Sequence, residues 1–406
     1  MAMADRTASG PTFRLSMLIY DSRYRSVTIQ VFALMLFMLA LAWLLSNAAS
    51  NLAALGKPLS FGFLSQPAGY DINQRLVEYT SQSSHARAAL VGILNTLLVA
   101  VLGCITATFI GVTVGVLRLS DNWVVSRLMT VYIETIRNVP VLLWIVLTMA
   151  ILIESLPAPN AFRGDDATAS MLLNNSVAIT NRGIYIPKPL FLDGSMPIII
   201  VFFLSIVGIY FFGRWARTRQ ETTGAILPIF WIKLAIFVLP SVVVFYILGQ
   251  PIALEYPELK GFNFRGGFQA RNSLIALWLA LSIYTGAFIA ECVRAGIQAI
   301  SHGQTEAAFA LGLRPGRTMS LIVLPQAMRV IIPPMISQYL NLTKNSSLAI
   351  AVGYMDITGT LGGITLNQTG REMESLMLLM ACYLSISITV SVLMNWYNES
   401  IKMRER

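Results

Sequence analysis

The sequence predicts an all-α integral membrane protein with about eight transmembrane helices. Composition and hydropathy carry this prediction. Of the 406 residues, 55% are apolar and only 12% are charged, whereas an ordinary soluble domain carries about a quarter charged residues. Mean hydropathy is +0.66, a value typical of membrane proteins. A disordered chain, a secreted disulfide-rich scaffold and a nucleic-acid-binding domain are therefore poor fits.

Eight apolar stretches are long enough to span a bilayer, which requires about 20 predominantly apolar residues. They cover residues 27–46, 89–117, 127–155, 196–213, 226–249, 272–292, 328–352 and 375–396. The first begins too late and is too long for the apolar region of a cleavable signal peptide, so we interpret it as a retained anchor helix. The third needs an amphipathic lead-in at Tyr132–Asn138. The fifth contains Lys233, which must face protein or reach the interface.

The basic residues indicate the orientation of these spans. A chain with eight spans has both termini on one side, and the side richer in Lys and Arg is the cytoplasm. The basic residues on that side are Arg6, Arg14, Arg23, Arg25, Arg118, Arg127, Arg214, Arg217, Arg219, Arg294, Arg314, Arg317, Lys402, Arg404 and Arg406. The net charge of +9 is therefore explained by cytoplasmic loops. Of the opposite loops, 47–88 and 156–195 are long and rich in turn-forming residues, and are predicted to be loops with short helices.

Cysteines and histidines do not point to a metal site or a disulfide. Cys104, Cys292 and Cys382 lie in or beside apolar stretches without CxxC spacing, so we interpret them as small core residues. His85 and His302 are far apart and have no HExxH-type neighbour. The sequence therefore predicts no metal and no cofactor bound by this chain.

The cytoplasmic stretch 293–327 lies between the sixth and seventh spans. Helix propensity predicts a short helix at Gln304–Leu311, ended by Gly312 in the position after the helix. Thr318–Leu324 starts a second helical piece that Pro325 stops or kinks. One interpretation of this stretch is an amphipathic loop on the membrane surface.

The same stretch contains the pattern E-A-A-x3-G-x9-I-x-L-P, formed by Glu306, Ala307, Ala308, Gly312, Ile322, Leu324 and Pro325. It resembles the cytoplasmic loop of the membrane permease subunits of bacterial ABC importers. In that family the loop forms a coupling helix that docks into a groove of a separate ATPase subunit. The resemblance implies that Ala307, Ala308 and Ala310 let the helix sit deep in the groove. It also implies that Glu306 pairs with a basic residue of the ATPase.

The flanking residues resemble the polar amino-acid permease group, which includes importers of histidine, glutamine, glutamate and general L-amino acids. The segments that carry this resemblance are 132–140, 287–298, 324–329 and 342–348. The family has a five-helix core of the type I importer fold, predicted here in 89–155 and 270–398. The N-terminal region 1–88 and the insertion 156–269 then add one helix and a helix pair, as in the larger permeases of general L-amino-acid transporters. Residues 399–406 form the cytoplasmic tail.

The resemblance also implies the partners. The ATP-binding pattern G-x4-G-K-[ST] is absent, since Gly56-Lys57 is followed by Pro58, so this chain is predicted not to be an enzyme. ATP and Mg²⁺ are expected on a partner. The expected partners are a paralogous permease in a heterodimer, two ATP-binding subunits, a periplasmic amino-acid-binding protein and membrane lipid, with no nucleic acid. The expected location is the bacterial inner membrane with both termini cytoplasmic, and the expected mechanism is alternating access.

A zwitterionic amino acid needs donors for its carboxylate and acceptors for its ammonium group, and such groups are costly inside a membrane. Lys344, Asn345 and Ser346 interrupt the seventh span, which suits a helix end facing a ligand. By resemblance this stretch borders the pathway, although capping or snorkelling explains Lys344 equally well. The other candidates are Glu134, Arg137, Asn138 and Gln338. An ion pair on one helix face is the alternative for Glu134 and Arg137.

Other classes of protein are weaker alternatives. An ion-coupled secondary amino-acid transporter predicts acidic ion ligands in mid-span, whereas Glu134 and Glu291 both fall near predicted cytoplasmic ends. A scaffold or channel offers no reason for a coupling loop. A membrane enzyme would need a catalytic cluster, and the sequence shows none.

Overall fold

The computed structural model describes residues 17–54, 56, 58–164, 167–224 and 227–401. Within these ranges eight helices are long and apolar enough to cross a membrane, which confirms the predicted number. Some residues used in the predictions lie outside the described ranges: Arg6, Arg14, Lys57, Lys402, Arg404 and Arg406. Most of the predicted tail 399–406 lies outside them as well.

The described part of the chain is mostly helical. The α-helices are α1 (Met17–Tyr20), α2 (Ser22–Ala54), α3 (His85–Arg118), α4 (Trp123–Asn138), α5 (Val141–Ser155), α6 (Met196–Thr223), α7 (Ile229–Ile247), α8 (Asn272–Gln298), α9 (His302–Ala310), α10 (Pro315–Thr318), α11 (Leu324–Asn345), α12 (Leu366–Thr369) and α13 (Glu372–Ile401). Short 3-10 helices lie at Gly62–Ser65, Pro159–Phe162 and Ser346–Val352. Segments of π-helix lie at Met319–Val323 and Thr358–Thr365.

The third predicted span, 127–155, is wrong as a single helix. α4 ends at Asn138, and Val139 is extended (φ −107°, ψ 133°) before Pro140. A residue that precedes proline avoids the α conformation, because the proline ring crowds its backbone. The chain therefore breaks here into α4, which packs on α3 and α8, and α5, which begins the membrane crossing.

The centre of the bundle is the contact between α3 and α8. Small residues recur every four positions along α3, at Gly103, Ala107, Gly111 and Gly115, and therefore share one face. A Cβ atom on Gly111 would lie 2.5 Å from Ile289 Cγ2 of α8. The two backbones thus approach closely, as small residues permit between membrane helices. α5 and α11 pack around this pair and α13 packs on α11, which completes the five membrane-crossing helices of the predicted core; the shorter α4 also packs on α3 and α8.

The N-terminal helix and the inserted helix pair lie at the edge of this core. α7 has no buried residue, and the most apolar stretch of α2 has none either. α6 and α7 pack mainly against each other. Apolar faces of this kind are stable in lipid or against another subunit.

Short strands form a β unit in the connections that precede α6 and follow α7. They are β1 (Ala178–Thr180), β2 (Gly183–Ile186), β3 (Lys188–Phe191), β4 (Ile252–Glu255), β5 (Glu258–Lys260), β6 (Asn263–Arg265) and β7 (Phe268–Arg271). One sheet has the order β1-β2-β7, while β3–β4 and β5–β6 form two-stranded ribbons. Residues 156–195 were expected to form loops and short helices. That expectation is wrong for β1, β2 and β3, which lie in this stretch.

The β3–β4 ribbon holds the two ends of the insertion together. β3 precedes α6 and β4 follows α7, and the two strands pair antiparallel from Lys188 opposite Glu255 to Phe191 opposite Ile252. Pairing between such distant segments leaves no signal in local sequence patterns, because strand stability depends on cross-strand neighbours.

Candidate functional site

The short helix predicted in the stretch 293–327 is present as α9. After it, Gly312 has a left-handed backbone conformation (φ +77°), and its N–H donates to Phe309 O at 2.9 Å. The next N–H, of Leu313, donates to Ala308 O at 3.1 Å. A Cβ atom on Gly312 would meet no neighbour, so the backbone conformation, and not space, favours glycine here. The predicted short helix and its glycine end are confirmed.

The alanines of α9 do not all face the same way. Glu306, Ala307 and Ala310 are exposed. Ala308 is only 1% exposed, because α9 packs on α10 and on the adjoining π-helical segment. The expectation that three alanines face a partner is therefore corrected: only Ala307 and Ala310 point outward.

Two exposed apolar residues of this segment were missed by sequence reasoning. Phe309 is 47% exposed and Leu311 is 80% exposed. They lie in the same short segment as Glu306, which has no ion-pair partner among the described residues. The segment thus combines apolar side chains with one carboxylate, a composition suited to docking. The signal was present in the sequence, as large apolar residues inside a loop predicted to be cytoplasmic.

The end of α8 and the start of α11, which precede and follow α9 in the chain, pack together, and we call this packed pair the bracket. The stretch expected as a loop, 293–327, begins inside α8 and ends inside α11, so only its middle part is a loop. A Cβ atom on Gly296 of α8 would lie 2.3 Å from Ile331 Cγ1 of α11. Gln326 Nε2 of α11 donates to Gln304 Oε1 of α9 at 3.4 Å. A side-chain hydrogen bond thus connects α9 to α11, and close packing connects α11 to α8.

Pro325 does not stop the helix, so of the two expected outcomes, a stop or a kink, the stop is wrong. α10, the π-helical Met319–Val323 and α11 follow one another without a break. Proline has no N–H and its ring crowds the preceding turn. The wider π turn directly before Leu324 accommodates both effects.

An ion-pair cluster joins α3 to α8 beside this bracket. The Glu291 carboxylate accepts hydrogen bonds from Arg118 of α3 and from Arg294, whose Nε donates at 3.1 Å. The Arg137 guanidinium of α4 lies 5.0 Å from the centre of the Phe288 ring, a cation–π distance. Sequence reasoning noted Glu291 only as a cytoplasmic-end acid, because its partner on α3 is 173 positions away.

The first group of predicted pathway residues lies on α4. Glu134 and Asn138 are exposed, and Asn138 Nδ2 donates to Glu134 O at 2.7 Å. Arg137 contacts α8, and no ion pair joins it to Glu134 in the described part of the chain. The alternative of a structural ion pair between these two residues is therefore wrong.

The second group lies along and at the end of α11. Gln338 and Asn345 are half-buried, Lys344 is exposed and Ser346 is buried. The α-helix gives way to a 3-10 helix at Ser346, whose Oγ donates to Thr343 O at 2.8 Å. α11 has 22 residues, so its end lies about 33 Å from its start. α4 lies towards the end of the bundle opposite to the end of α11. The structure therefore does not bring the α4 residues and the residues at the end of α11 together.

A buried carboxylate pins the connection between α11 and α13. Asp356 is 0% exposed. Its Oδ1 accepts from the Gly359 N–H at 2.9 Å, and its Oδ2 accepts from the Tyr383 hydroxyl of α13 at 3.0 Å. Thr96 Oγ1 of α3 accepts from the neighbouring Ile357 N–H at 3.1 Å. The π-helical segment is thereby tied to α3 and α13, a contact that the sequence does not reveal.

Burial raises the pKa of Asp356 to about 6, from an ordinary value of about 3.9. The folded segment therefore binds more protons than the unfolded one between these values, and its stability is expected to fall as pH rises from about 4 to 6. Over this pH range the free energy of unfolding of the segment should fall by about 3 kcal/mol. Hydrogen exchange of the backbone N–H groups of 357–361, corrected for intrinsic rates, measures it. Asp356→Asn is expected to remove the pH dependence, and an unchanged slope in that variant would contradict the assignment.

A polar pocket of about 420 Å³ lies where the β unit meets the ends of α5 and α8. Arg182 and Arg271 line it, and neither has an acidic partner in the described residues. Asn272, the first residue of α8, also lines the pocket. This residue is 3% exposed, and its side-chain amide atoms have no hydrogen-bond partner among the described residues. Guanidinium groups and a helix N-terminus favour carboxylates. The volume falls in the range of about 300–1,000 Å³ typical of small-molecule sites.

Comparisons with known proteins agree with this architecture. The family model "Binding-protein-dependent transport system inner membrane component" matches residues 222–404. The chain is 55% identical to the glutamate/glutamine/aspartate/asparagine transport system permease BztB of Rhodobacter capsulatus, covering 97% of each chain. It is 43% identical to the general L-amino acid transport system permease AapQ of Rhizobium johnstonii, covering 98% of this chain and 97% of the relative.

Among solved structures, an amino acid ABC transporter crystallised with histidines is 18% identical, with a TM-score of 0.45 over 78% of this chain and 95% of the other. The two full-length relatives decide the assignment, since each is well above 30% identity over nearly the whole chain. The chain therefore belongs to the permease subunits of amino-acid ABC importers and resembles the larger permease of general L-amino-acid transporters.

Proposed function

We propose that this chain forms part of the translocation pathway of an ATP-driven importer of polar L-amino acids and is coupled to a separate ATPase subunit through α9. The observation that carries the proposal is an exposed α9 that lies between α8 and α11 in the chain and packs on α10 and the π-helical Met319–Val323, in a chain whose full-length relatives are amino-acid permeases. The relative from Rhodobacter capsulatus is named for glutamate, glutamine, aspartate and asparagine. Acidic and amide amino acids are therefore the proposed substrates.

Coupling follows from the geometry of the bracket. The partner ATPase binds ATP and Mg²⁺, and closure of its two subunits moves α9. The close contact between Gly296 and Ile331 passes this motion to α8 and α11 together. The ion pair between Glu291 and Arg118 extends it to α3. The helix bundle then reorients from an inward-open to an outward-open arrangement as one packed body.

Two places support a substrate route through this chain. The pocket lined by Arg182 and Arg271 offers donors to a carboxylate at the outer end of the bundle. The end of α11, at Lys344–Ser346, and the half-buried Gln338 continue the route inward. The α4 residues Glu134, Arg137 and Asn138 lie near the proposed inner end of the route.

The proposed assembly contains a paralogous permease, two ATP-binding subunits and a periplasmic amino-acid-binding protein, in the bacterial inner membrane with both termini of this chain cytoplasmic. An apolar groove of about 570 Å³ between α3, α11 and α13 supports contact with the second permease. The exposed faces of α2 and α7 support contact with lipid.

Affinity purification of the tagged chain in mild detergent, followed by an ATPase assay, tests the proposal. An ATP-binding subunit should co-purify, and the ATPase activity should rise when an amino-acid-loaded binding protein is added. If the chain purifies alone and takes up amino acids into liposomes under an ion gradient, the proposal is wrong and a secondary transporter replaces it.

Asn345→Leu is expected to weaken transport without disturbing assembly. Loss of one hydrogen bond to a charged substrate group is worth about 1.5–3 kcal/mol, so the KM for uptake should rise about tenfold or more. Asn395→Leu is the matched control, because Asn395 is an exposed residue of α13. Uptake kinetics equal to those of the wild type in Asn345→Leu would remove this residue from the pathway.

A further inference from the structure

A cavity of about 490 Å³ lies between the two inserted helices and has no part in the proposed transport mechanism. One face of α6 and Lys233 of α7 line it. The α6 face is apolar at Ile206 and Tyr210 and basic at Arg214 and Arg217. These positions follow one another at three- or four-residue spacing and therefore share one side of the helix. The cavity thus changes from apolar to cationic along its length.

Lys233 breaks the apolar pattern of the fifth span, and the structure shows where its side chain goes. A Cβ atom on Gly213 of α6 would lie 3.1 Å from Lys233 Nζ, so the ammonium group rests against the α6 backbone. Arg214 and Arg217 line the same cavity. None of the three cations has an acidic partner among the described residues. Three like charges beside a membrane are costly unless an anion neutralises them.

The cationic end of the cavity lies at the level of lipid headgroups. α6 is almost wholly apolar from Pro197 to Gly213 and, apart from Trp215 and Ala216, polar from Arg214 onward. Trp215 of α6 and Trp231 of α7 are exposed near this level, and tryptophan is enriched at membrane–water interfaces. The predicted orientation places this end in the cytoplasmic leaflet. α6 and α7 pack mainly against each other, which leaves the cavity open to surrounding lipid.

We propose that this cavity binds an anionic phospholipid of the cytoplasmic leaflet. Lys233, Arg214 and Arg217 donate charge-assisted hydrogen bonds to the phosphate. Ile206 and Tyr210 contact the glycerol and the first acyl carbons. Basic pockets between transmembrane helices on the cytoplasmic side are a general form of lipid site. The apolar half of the cavity and its lipid-facing position favour a phospholipid over an acidic protein segment, and the inserted helix pair gains a role as a lipid anchor.

Native mass spectrometry of the assembled transporter tests this site, with phosphatidylglycerol as the probe. Wild type should retain the lipid. Lys233→Gln and Arg217→Gln should each bind it about fivefold more weakly, which corresponds to about 1 kcal/mol per cation. Arg219→Gln is the matched control, because the Arg219 guanidinium lies 5.1 Å from the Trp215 ring centre and does not line the cavity; its lipid retention should equal that of wild type.

Further measurements distinguish a bound phospholipid from the other possible occupants of the cavity. Lys233→Arg keeps the charge and should keep the lipid, which distinguishes a lost contact from a misfolded helix pair. Phosphatidylcholine should be retained less well than phosphatidylglycerol, and excess inorganic phosphate should not displace the lipid. Equal retention by Lys233→Gln and wild type, displacement by inorganic phosphate, or cross-linking of position 217 to another subunit would each overturn the proposal.

Discussion

Lysine in place of Glu306 is expected to abolish ATP-driven uptake while the chain remains folded and inserted. Glu306 is exposed and has no ion-pair partner in the described part of the chain, so the change costs the fold little. At the proposed docking surface the new lysine lies beside a basic residue of the ATPase, and two like charges together cost several kcal/mol. The affinity of the chain for the ATPase should therefore fall by about a hundredfold or more. Uptake into proteoliposomes and co-purification of the ATPase measure the effect.

The control for this experiment is Glu399→Lys. Glu399 is also exposed and lies near the end of α13, so this variant makes the same charge change away from α9. Its uptake should be normal. Normal uptake by Glu306→Lys would contradict the docking role of α9, and equal losses in both variants would assign the effect to net charge.

Valine in place of Gly111 is expected to prevent the close packing of α3 and α8. A Cβ atom at this position would lie 2.5 Å from Ile289 Cγ2 and 2.9 Å from Gly286 O. The second neighbour is backbone, which cannot move aside without separating the helices. Overpacking typically costs about 1–3 kcal/mol, so the melting temperature of the purified transporter and its yield should both fall.

Gly208→Val is the matched control for this prediction. Gly208 lies on α6, where an added Cβ atom would meet only Ile236 Cγ2 at 3.5 Å, an ordinary contact distance. That variant should keep the melting temperature of the wild type. If the Gly111 and Gly208 variants melt at the same temperature, the small-residue face of α3 does not set the packing of the core.

Short-range sequence patterns predicted much of the structure of the stretch 293–327. Alanine-rich propensity gave the position of α9, and Gly312 marks its end because glycine tolerates the left-handed conformation that closes a helix. The orientation of Ala308 was predicted wrongly, because periodicity over nine residues cannot tell which face meets the chain itself. The sequence left open whether Pro325 stops or kinks the helix, since the π turn that lets the helix continue depends on the packing of that turn against α9 and α11.

The remaining errors arise where distant residues meet. The break at Val139-Pro140 was visible as a rule about prolines, but the length needed for a membrane crossing favoured a continuous helix at 127–155. The strands between 178 and 271 were missed because each has only three or four residues. Such strands are stable only when their partners are present.

The sequence by itself determined the number of spans, the likeness to a permease family and the position of the short helix α9. These features rest on hydrophobic length, charge distribution and short-range patterns, which are properties of the local chain. Only the tertiary structure decided that Asp356 is buried, that Glu291 joins α3 to α8, and that Lys233 faces α6. Each of these depends on helices brought together from distant parts of the chain, because burial and charge pairing are set by neighbours in space.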